Sequence, residues 1–479
     1  MRIAYNLKRL QDLTGAGIIF KKLNVHDRWT RQELLKYQHQ QLSSLVRYAI
    51  RHSPFYQELY RKIRTDQQIV LNELPTIDKV TMMGNFDQFV TDPKLKLKEL
   101  QAHISQLTRD EYYLGEYRVL TTSGSSGMKG VFIFNRKEWS TVLASTLRCS
   151  QIMGASIRFP NRWRATSIVP DSPMHMTYRA VVTYDNPVIK GQRLNVTSSL
   201  EYLINSLNTF QPETLYTYPS IASLLAIEQL EERLNIHPQI VATGAEVRTK
   251  EMEQKIREAW DVIPFNVYGI TEGGNLGSDC PFHQGIHIFE DLLIVEVVNE
   301  RNQPVQDGSP GYKFLLTNLF NFTQPLIRYE VSDMLTMSTE PCPCGRPFRL
   351  IAMVEGRSDD IIYLQSSQGR DVAVHPIHFR SPMGALQEIK EYHVLHEDDR
   401  INISIVLREG ASGEEVTRKL TVNLKKHIES LGAKCPEIHV RFVNKIERDP
   451  SVMGKLKLVK SNVKRRGMRG ESLSNFKNH

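Results

Sequence analysis

The sequence lacks the features of a membrane-spanning or disulfide-stapled protein. No run of about 18 apolar residues occurs, and the first residues, MRIAYNLKRLQDLTGAG, lack the apolar core and small-residue cleavage site of a secretory signal. Five cysteines are too few and too unevenly spaced for a disulfide framework. These absences predict no transmembrane segment, a reducing compartment and a cytoplasmic location.

Internal repeats, low-complexity linkers and a carrier-protein serine motif are also missing. What is present is 479 residues with 41% hydrophobic composition, enough to bury a large core in two or three domains. The net charge of +8 comes from 61 basic and 53 acidic residues and would suit anionic substrates. The sequence therefore predicts a globular protein.

The order of periodic segments predicts an α/β fold. It has a large N-terminal α/β lobe, with a helical N-terminal subdomain and a β-rich segment, and a small mobile α+β C-terminal domain. Apolar residues at helical spacing in RQELLKYQHQQLSSLVRYAIRHS predict a helix that ends before Pro54. We assign residues 1–95 to the helical part, 96–355 to the core, 356–460 to the small domain and 461–479 to a basic tail.

A loop rich in glycine and hydroxyl residues, TTSGSSGMKG, precedes the apolar run VFIF. Glycine lets a backbone approach a phosphate closely, and hydroxyl and lysine groups add donors. Gly130 follows Lys129, which excludes the P-loop pattern because a hydroxyl residue would be needed there. Taken alone, the loop fits phosphate binding or a mobile turn. Its candidate residues are Thr121, Thr122, Ser123, Gly124, Ser125, Ser126, Gly127 and Lys129.

Cysteines and histidines at ligand spacing predict a structural zinc site. DCPFHQGIH and PCPCG offer paired sulfur or nitrogen ligands on two turns, as tetrahedral zinc requires. We predict Cys280, His283, Cys342 and Cys344 as ligands, with His287 as a substitute for His283. The alternative is a pair of reduced cysteines beside unrelated histidines. Cys149 and Cys435 have no partner spacing.

Five further segments follow the loop in a fixed order: ATGAEV, VYGITEGG, LIRYEVSDM, VEGRSDDII and DPSVMGKLKLVKSN. This series resembles the adenylate-forming superfamily of acyl-CoA ligases and adenylation domains. Together with YAIRHSPFYQELY, ELPTIDKV and CPCGR, it resembles the phenylacetate-CoA ligase and CapK-like branch of that superfamily. The resemblance spans nearly the whole chain. The loop is one residue shorter than the common form, and RYEVSD lacks the usual glycine.

The resemblance implies a role for each matching residue. Thr271 would contact the α-phosphate, Glu272 would bind Mg²⁺, and Asp333 would accept both ribose hydroxyls. Lys455 would bridge the substrate carboxylate and the α-phosphate, and Asp359 would be the domain hinge. The remaining nucleotide-binding residues would be Gly244, Ala245, Glu246, Tyr268, Gly269 and Arg357. Arg328 fits a structural ion pair better than a catalytic role.

The resemblance also implies a reaction. ATP would activate a carboxylic acid as an acyl-adenylate with release of pyrophosphate, and coenzyme A would then take the acyl group. The acid pocket would be lined by His175, Tyr216, Tyr218 and Ser220.

Other acyl acceptors stay open, namely an amine, a hydroxyl or a carrier-protein thiol. A homodimer also stays open as the oligomeric state. A zinc-stabilised nucleic-acid-binding protein is a further alternative. Its basic residues would have to form a patch, but they are scattered among acids, so we expect no nucleic-acid partner.

Overall fold

The computed structural model describes residues 2–64, 66–122, 129–155, 162–184, 189–384, 386, 388–397, 400–448 and 457–463. This described chain falls into two compact units. The first runs to Glu355 and includes Arg448, and the second runs from Gly356 to Glu447 and includes the strand Val459–Ser461. None of the helices in these ranges is long and apolar enough to cross a bilayer.

The first unit begins with helices, as the sequence predicts. Thr30 and Glu33 form a capping box at the start of the second helix, and Ser53 ends it and caps the third, which has Pro54 in its first turn. The prediction of a helix that ends before Pro54 is confirmed. The helices are α1 Arg2–His26, α2 Arg31–His52, α3 Pro54–Leu59, α4 Lys79–Gly84, α5 Phe86–Phe89 and α6 Leu97–Ser105.

Strands and helices then alternate through the rest of the first unit. The strands are β1 Arg118–Thr121, β2 Val131–Phe134, β3 Trp163–Val169, β4 Ile189–Asn195, β5 Thr214–Thr217, β6 Ile240–Gly244, β7 Phe265–Ile270, β8 Gly274–Ser278, β9 Ile286–Ile288, β10 Leu293–Val298, β11 Lys313–Asn318, β12 Tyr329–Val331, β13 Asp333–Met337 and β14 Leu350–Arg357. The helices are α7 Arg136–Ile152, α8 Met176–Tyr184, α9 Leu200–Phe210, α10 Pro219–Leu230 and α11 Lys250–Trp260.

The main sheet has the strand order β13-β14-β9-β8-β7-β6-β5-β3-β4. Its β4, β3, β5, β6 and β7 pair in parallel, while β8, β9 and β14 continue the sheet antiparallel. Parallel neighbours need crossover connections, and α8, α9, α10 and α11 lie in these connections. The expected α/β fold is therefore confirmed. The carboxyl ends of β5, β6 and β7 lie side by side, where open α/β sheets usually bind ligands.

Antiparallel pairs surround this sheet. β1 and β2 form a hairpin, and β10, β11 and β12 form a separate antiparallel sheet. One core cluster joins the N-terminal helices to α7, β1 and β2, and another packs α9, α10 and α11 against β3, β5 and β6. Loops at the carboxyl ends of β5, β6 and β7 therefore rest on a packed support.

The second unit is a smaller α+β fold. Its strands are β15 Ile362–Gln365, β16 Asp371–Val374, β17 Ile389–Glu397, β18 Arg400–Leu407, β19 Glu437–Phe442 and β20 Val459–Ser461, and its helices are α12 Ile377–Gly384 and α13 Gly413–Ser430. A sheet in the order β19-β18-β17-β20 is accompanied by α13, whose buried residues recur at helical spacing: Val416, Leu420, Leu424 and Ile428.

Candidate active site

Thr122 and Gly130, in the described parts of the glycine-rich segment, are paired beside the β1–β2 hairpin. Thr122 N donates to Gly130 O at 3.1 Å, and Gly130 N donates to Thr122 Oγ1 at 2.9 Å. A Cβ on Gly130 would lie 2.7 Å from the Phe132 ring, so the position requires glycine. Lys129 is exposed. The other predicted phosphate contacts lie outside the described residues: Ser123, Gly124, Ser125, Ser126 and Gly127.

Two buried arginines share one carboxylate beneath this hairpin. Arg118, at the start of β1, donates to Asp110, and Arg179 in α8 lies 3.7 Å from the same carboxylate. Both arginine side chains are fully buried. Burial lowers the pKa of Arg179 to about 10, which still leaves its guanidinium charged at neutral pH. Sequence patterns did not single out these residues, because no motif marks them.

The arginines fix one wall beside the hairpin. Arg179 Nε donates to Pro173 O, and Thr121 N, at the end of β1, donates to Met174 O at 3.0 Å. The backbone of His175 continues into α8, where Arg179 N donates to His175 O at 3.2 Å. The segment predicted to contribute to the acid pocket is therefore tied to the base of the glycine-rich loop.

The GAE turn follows β6. A Cβ on Gly244 would lie 2.6 Å from Val267 O of the neighbouring strand, so a side chain is excluded there. Ala245 has a φ of 65°, a left-handed conformation that keeps the turn tight. Glu246 is half-buried, and its Oε2 accepts a hydrogen bond from Ser220 N at 3.2 Å. The turn is thus anchored to the start of α10.

Arg448 joins the same cluster. Its Nη1 donates to Ser220 Oγ at 3.0 Å and lies 3.7 Å from Glu246 Oε1. Sequence reasoning did not select Arg448, although its position directly before DPSVMGKLK is a signal that could have found it.

A buried tyrosine–aspartate pair lies at the end of β7. Tyr268 O–H donates to Asp333 Oδ2 at 2.6 Å, and both residues are about nine-tenths buried. A Cβ on Gly269 would lie 3.1 Å from Gly274 O, so the strand end has little room for a side chain. A carboxylate has two oxygens, each of which can accept hydrogen bonds from more than one donor.

Thr271 and Glu272 occupy the turn between β7 and β8. Thr271 is half-buried and Glu272 is buried, and Asn318 Nδ2 donates to Glu272 O at 3.1 Å. Asn318 Oδ1 also accepts from Phe320 N at 3.2 Å. This asparagine therefore fixes the turn to the end of β11, a role that no sequence motif indicated.

Arg328 has a structural role, as the sequence analysis favoured. Its Nε donates to Glu296 Oε2 at 3.1 Å, and its Nη1 donates to the carbonyls of Leu74 and Asn72. Arg328 has a φ of 51°, and these contacts to neighbouring elements hold the strained backbone.

The predicted acid-pocket tyrosines lie at the end of β5. Burial raises the pKa of Tyr216 to about 12, and burial together with Glu246 raises the pKa of Tyr218 further, so both phenols stay neutral. The Tyr216 hydroxyl would lie 3.2 Å from a Cβ on Gly244. Tyr216 thus flanks the GAE turn, while Ser220 is bound to Glu246 and Arg448.

The remaining predicted residues are Arg357, Asp359 and Lys455. Arg357 ends β14, and Asp359 lies in a short 3₁₀ helix, Ser358–Asp360. The side chain of Asp359 and the whole of Lys455 lie outside the described residues. Lys457 Nζ forms an ion pair with Asp360.

A separate cluster of cysteines and histidine has the chemistry of a metal site. The ligand atoms of Cys280, His287, Cys342 and Cys344 all lie within 4.8 Å of one another. Cys280 Sγ is 3.6 Å from Cys342 Sγ, and Cys344 Sγ is 3.4 Å from His287 Nε2. Tetrahedral zinc with Zn–S bonds of about 2.3 Å separates its sulfurs by about 3.8 Å, so these spacings fit.

The structure brings the substitute His287 into this cluster and leaves His283 out of it. His283 Nδ1 instead lies 3.2 Å from Asp279 Oδ2. His287 lies in β9, which pairs with β14 at His287 and Leu350. That pairing places His287 beside Leu350, in the strand that follows the CPCG loop.

The surroundings of the cluster act differently on its imidazole and on its thiols. Burial, with the charges of Arg346 and Arg148, lowers the pKa of His287 to about 4, which keeps the imidazole neutral, as a ligand must be. Burial raises the pKa of Cys342 to about 12. Burial also disfavours the Cys344 thiolate, but hydrogen bonds and charge from Arg346 outweigh it and lower the pKa of Cys344.

Comparisons with known proteins find relatives with similar sequences and solved structures with a similar fold. No protein-family model matches the chain. A phenylacetate-coenzyme A ligase of Thermus thermophilus is 25% identical over 401 residues, covering 80% of each chain. Protein CapK of Staphylococcus aureus is 23% identical over 449 residues, covering 90% of each chain.

Among solved structures, 2-hydroxyisobutyryl-CoA ligase in complex with 2-HIB-AMP matches with a TM-score of 0.71, 19% identity and 91% coverage of each chain. At 19% identity, the match is evidence for a shared fold alone. The curated relatives agree with the motif series read from the sequence. The chain is thus similar in sequence to phenylacetate-coenzyme A ligases and to CapK over most of its length, and it shares its fold with 2-hydroxyisobutyryl-CoA ligase.

Proposed function

We propose that the protein is an AMP-forming ligase that activates a carboxylic acid with ATP and transfers the acyl group to coenzyme A. The observation that carries the proposal is the cluster at the carboxyl ends of β6 and β7. There a glycine turn, a buried Tyr268–Asp333 pair and the Thr271–Glu272 turn meet on adjacent strands. The relatives named as phenylacetate-coenzyme A ligases support this chemistry.

Each part of the cluster suits one part of a nucleotide. The turn at Gly244 has no side chain and lets the flat face of an adenine approach the backbone. Asp333, oriented by Tyr268, has the acceptor oxygens that two ribose hydroxyls require. Thr271 would donate to the α-phosphate. Glu272 offers the hard oxygen ligand that Mg²⁺ prefers, and the ion would neutralise phosphate charge.

The reaction needs no side-chain nucleophile. A carboxylate oxygen of the acid attacks the α-phosphorus, the bond to the bridging oxygen breaks, and pyrophosphate leaves. The sulfur of coenzyme A then attacks the acyl carbonyl, and AMP leaves with the electron pair of the broken C–O bond. The protein contributes alignment and charge stabilisation, with Lys455 as the mobile cation. Asp359 would be the hinge of the intervening domain movement.

We further propose that Cys280, His287, Cys342 and Cys344 bind a structural zinc ion. Four protein ligands would complete the tetrahedron and leave no position for substrate. The ion would join the turn before β9 to the loop before β14 and so reinforce the pairing of these two strands.

The test is ATP–pyrophosphate exchange over a panel of aryl, hydroxy and amino acids. We expect one chemical class of acid to stimulate exchange, and thioester to form when coenzyme A is added. A folded, zinc-replete protein that exchanges with none of these acids would contradict the proposed adenylation. Exchange without thioester would retain the first step and reject coenzyme A as acceptor.

A further inference from the structure

Helix α1 is bound to the first unit along one face. Ala16 and Leu23 are buried in the core, and Leu13 and Phe20 pack against it. Asp12 accepts a hydrogen bond from Arg136 Nε at 3.0 Å. The helix is therefore docked along one side.

The opposite side of α1 is also apolar. Leu7, Leu10, Ile18 and Val25 expose 57%, 61%, 57% and 58% of their surface. On a helix, Leu7, Ile18 and Val25 fall within about 20° of one another and form a straight line about 27 Å long. A helix on the surface of a water-soluble domain normally turns charged residues outward, so an apolar outer side indicates that something covers it.

Cations flank this apolar line. Lys21, Lys22 and Arg28 are exposed. Residues 2–28 contain two acids, Asp12 and Asp27. Both turn inward, Asp12 toward Arg136 and Asp27 toward Arg148, whose Nε donates to Asp27 Oδ1 at 2.8 Å. We define the outer face of α1 as the exposed residues from Leu7 to Arg28, which are Leu7, Leu10, Gln11, Thr14, Ile18, Lys21, Lys22, Val25 and Arg28. This face carries four aliphatic side chains, three cations and no acid.

Leu114 is a further exposed apolar residue, and it lies beside this helix. Leu114 is 59% exposed at the tip of the turn between Tyr113 and Tyr117, and it has a φ of 50°. A left-handed leucine is uncommon and costs about 1 kcal/mol or more. Lys8 Nζ donates to Gly115 O, which ties this turn to α1. The turn therefore holds an aliphatic side chain in solvent next to the helix.

We propose that the outer face of α1 docks on an anionic lipid bilayer. The aliphatic side chains would enter the boundary between headgroups and acyl chains, and the flanking cations would contact lipid phosphates or carboxylates. The helix would lie along the surface and not span the membrane. A second copy fits less well, because a symmetric contact would bring like charges together with no acid on the outer face to neutralise them.

The experiment is flotation of the full chain with vesicles of phosphatidylcholine alone or with about 30% phosphatidylserine. We expect the wild type to float with anionic vesicles and much less with neutral ones. The variant L7Q/L10Q/I18Q/V25Q should lose about tenfold or more in partitioning. K21Q/K22Q should lose about 20-fold, on the scale of about fivefold per cation near an anionic surface.

The matched control replaces four exposed residues on other helices, V80Q/Y202Q/L230Q/V422Q, which are 60%, 56%, 46% and 61% exposed. This control should bind like the wild type. All variants keep the basic C-terminal tail, so equal binding of the α1 variant and the control would overturn the proposal.

Sedimentation equilibrium without vesicles tests whether two copies of the chain associate through this face. A wild-type dimer that L7Q/L10Q/I18Q/V25Q converts to a monomer, with no flotation, would make the face an interface between copies and also overturn the proposal.

Discussion

The hydrogen bond from Tyr268 to Asp333 is the residue-level feature on which the proposed nucleotide site depends. Tyr268→Phe removes the phenol that orients the carboxylate, and we expect KM for ATP to rise about tenfold, the value of one hydrogen bond to a charged group. The KM for the carboxylic acid substrate should change less than the KM for ATP. Steady-state kinetics with the acid found by exchange would measure both.

Tyr56→Phe is the matched control for that substitution. Tyr56 O–H donates to Pro325 O at 2.7 Å in the core beside the N-terminal helices. Losing this bond should lower stability by about 1 kcal/mol and leave KM for ATP unchanged. If the two variants changed KM equally, the Tyr268–Asp333 pair would have only a structural role.

At the scale of elements, the proposed zinc ion ties two turns together. His287→Ala removes a ligand, and we expect zinc affinity to fall about 100-fold or more, with a lower melting temperature. His283→Ala is the matched control, because His283 contacts Asp279 outside the cluster. It should keep about one zinc per chain in elemental analysis. Zinc lost from His283→Ala and retained in His287→Ala would reverse the ligand assignment.

A buried ion network joins α1 to α7 and to the turn before β10. Arg148 Nη1 lies 2.9 Å from Asp291 Oδ1, and His26 Nδ1 lies 2.8 Å from Asp291 Oδ2. Burial opposes ionisation of Asp291, but the Arg148 charge and the His26 hydrogen bond outweigh it and lower the pKa of this carboxyl. Its stabilising effect is therefore complete above the ordinary value of 3.8 and is lost as pH falls below it.

Asp291→Asn should thus cost about 3 kcal/mol at pH 7 and progressively less in acid. Urea unfolding across the pH range measures this difference. The control is Glu58→Gln, whose partner Arg61 is exposed, and it should cost less than about 0.5 kcal/mol at any pH. A constant loss in Asp291→Asn at every pH would show that the carboxylate charge does not stabilise the fold.

For the whole molecule, local sequence patterns predicted the elements better than the contacts between them. The order of periodic segments predicted the α/β fold whose sheet contains β3, β5, β6 and β7, because period and turn residues act locally. The choice between His283 and His287 depended on the pairing of β9 with β14, which connects residues far apart in sequence. Arg118, Arg179 and Asn318 act through long-range contacts, so no local pattern marked them.

The proposed two-step reaction predicts that Lys455 acts in only one of its steps. The resemblance places Lys455 on the carboxylate and α-phosphate, where a cation stabilises charge that grows during adenylation. Lys455→Ala should slow adenylation by about 100-fold or more, and thioester formation from supplied acyl-adenylate should continue. Lys457→Ala is the matched control, because Lys457 is paired with Asp360, and it should change either step by less than about threefold. Pyrophosphate exchange and thioester release, measured separately, distinguish the steps. Equal loss of both steps in Lys455→Ala would contradict this placement, because a residue that serves both conformations cannot be specific to the first.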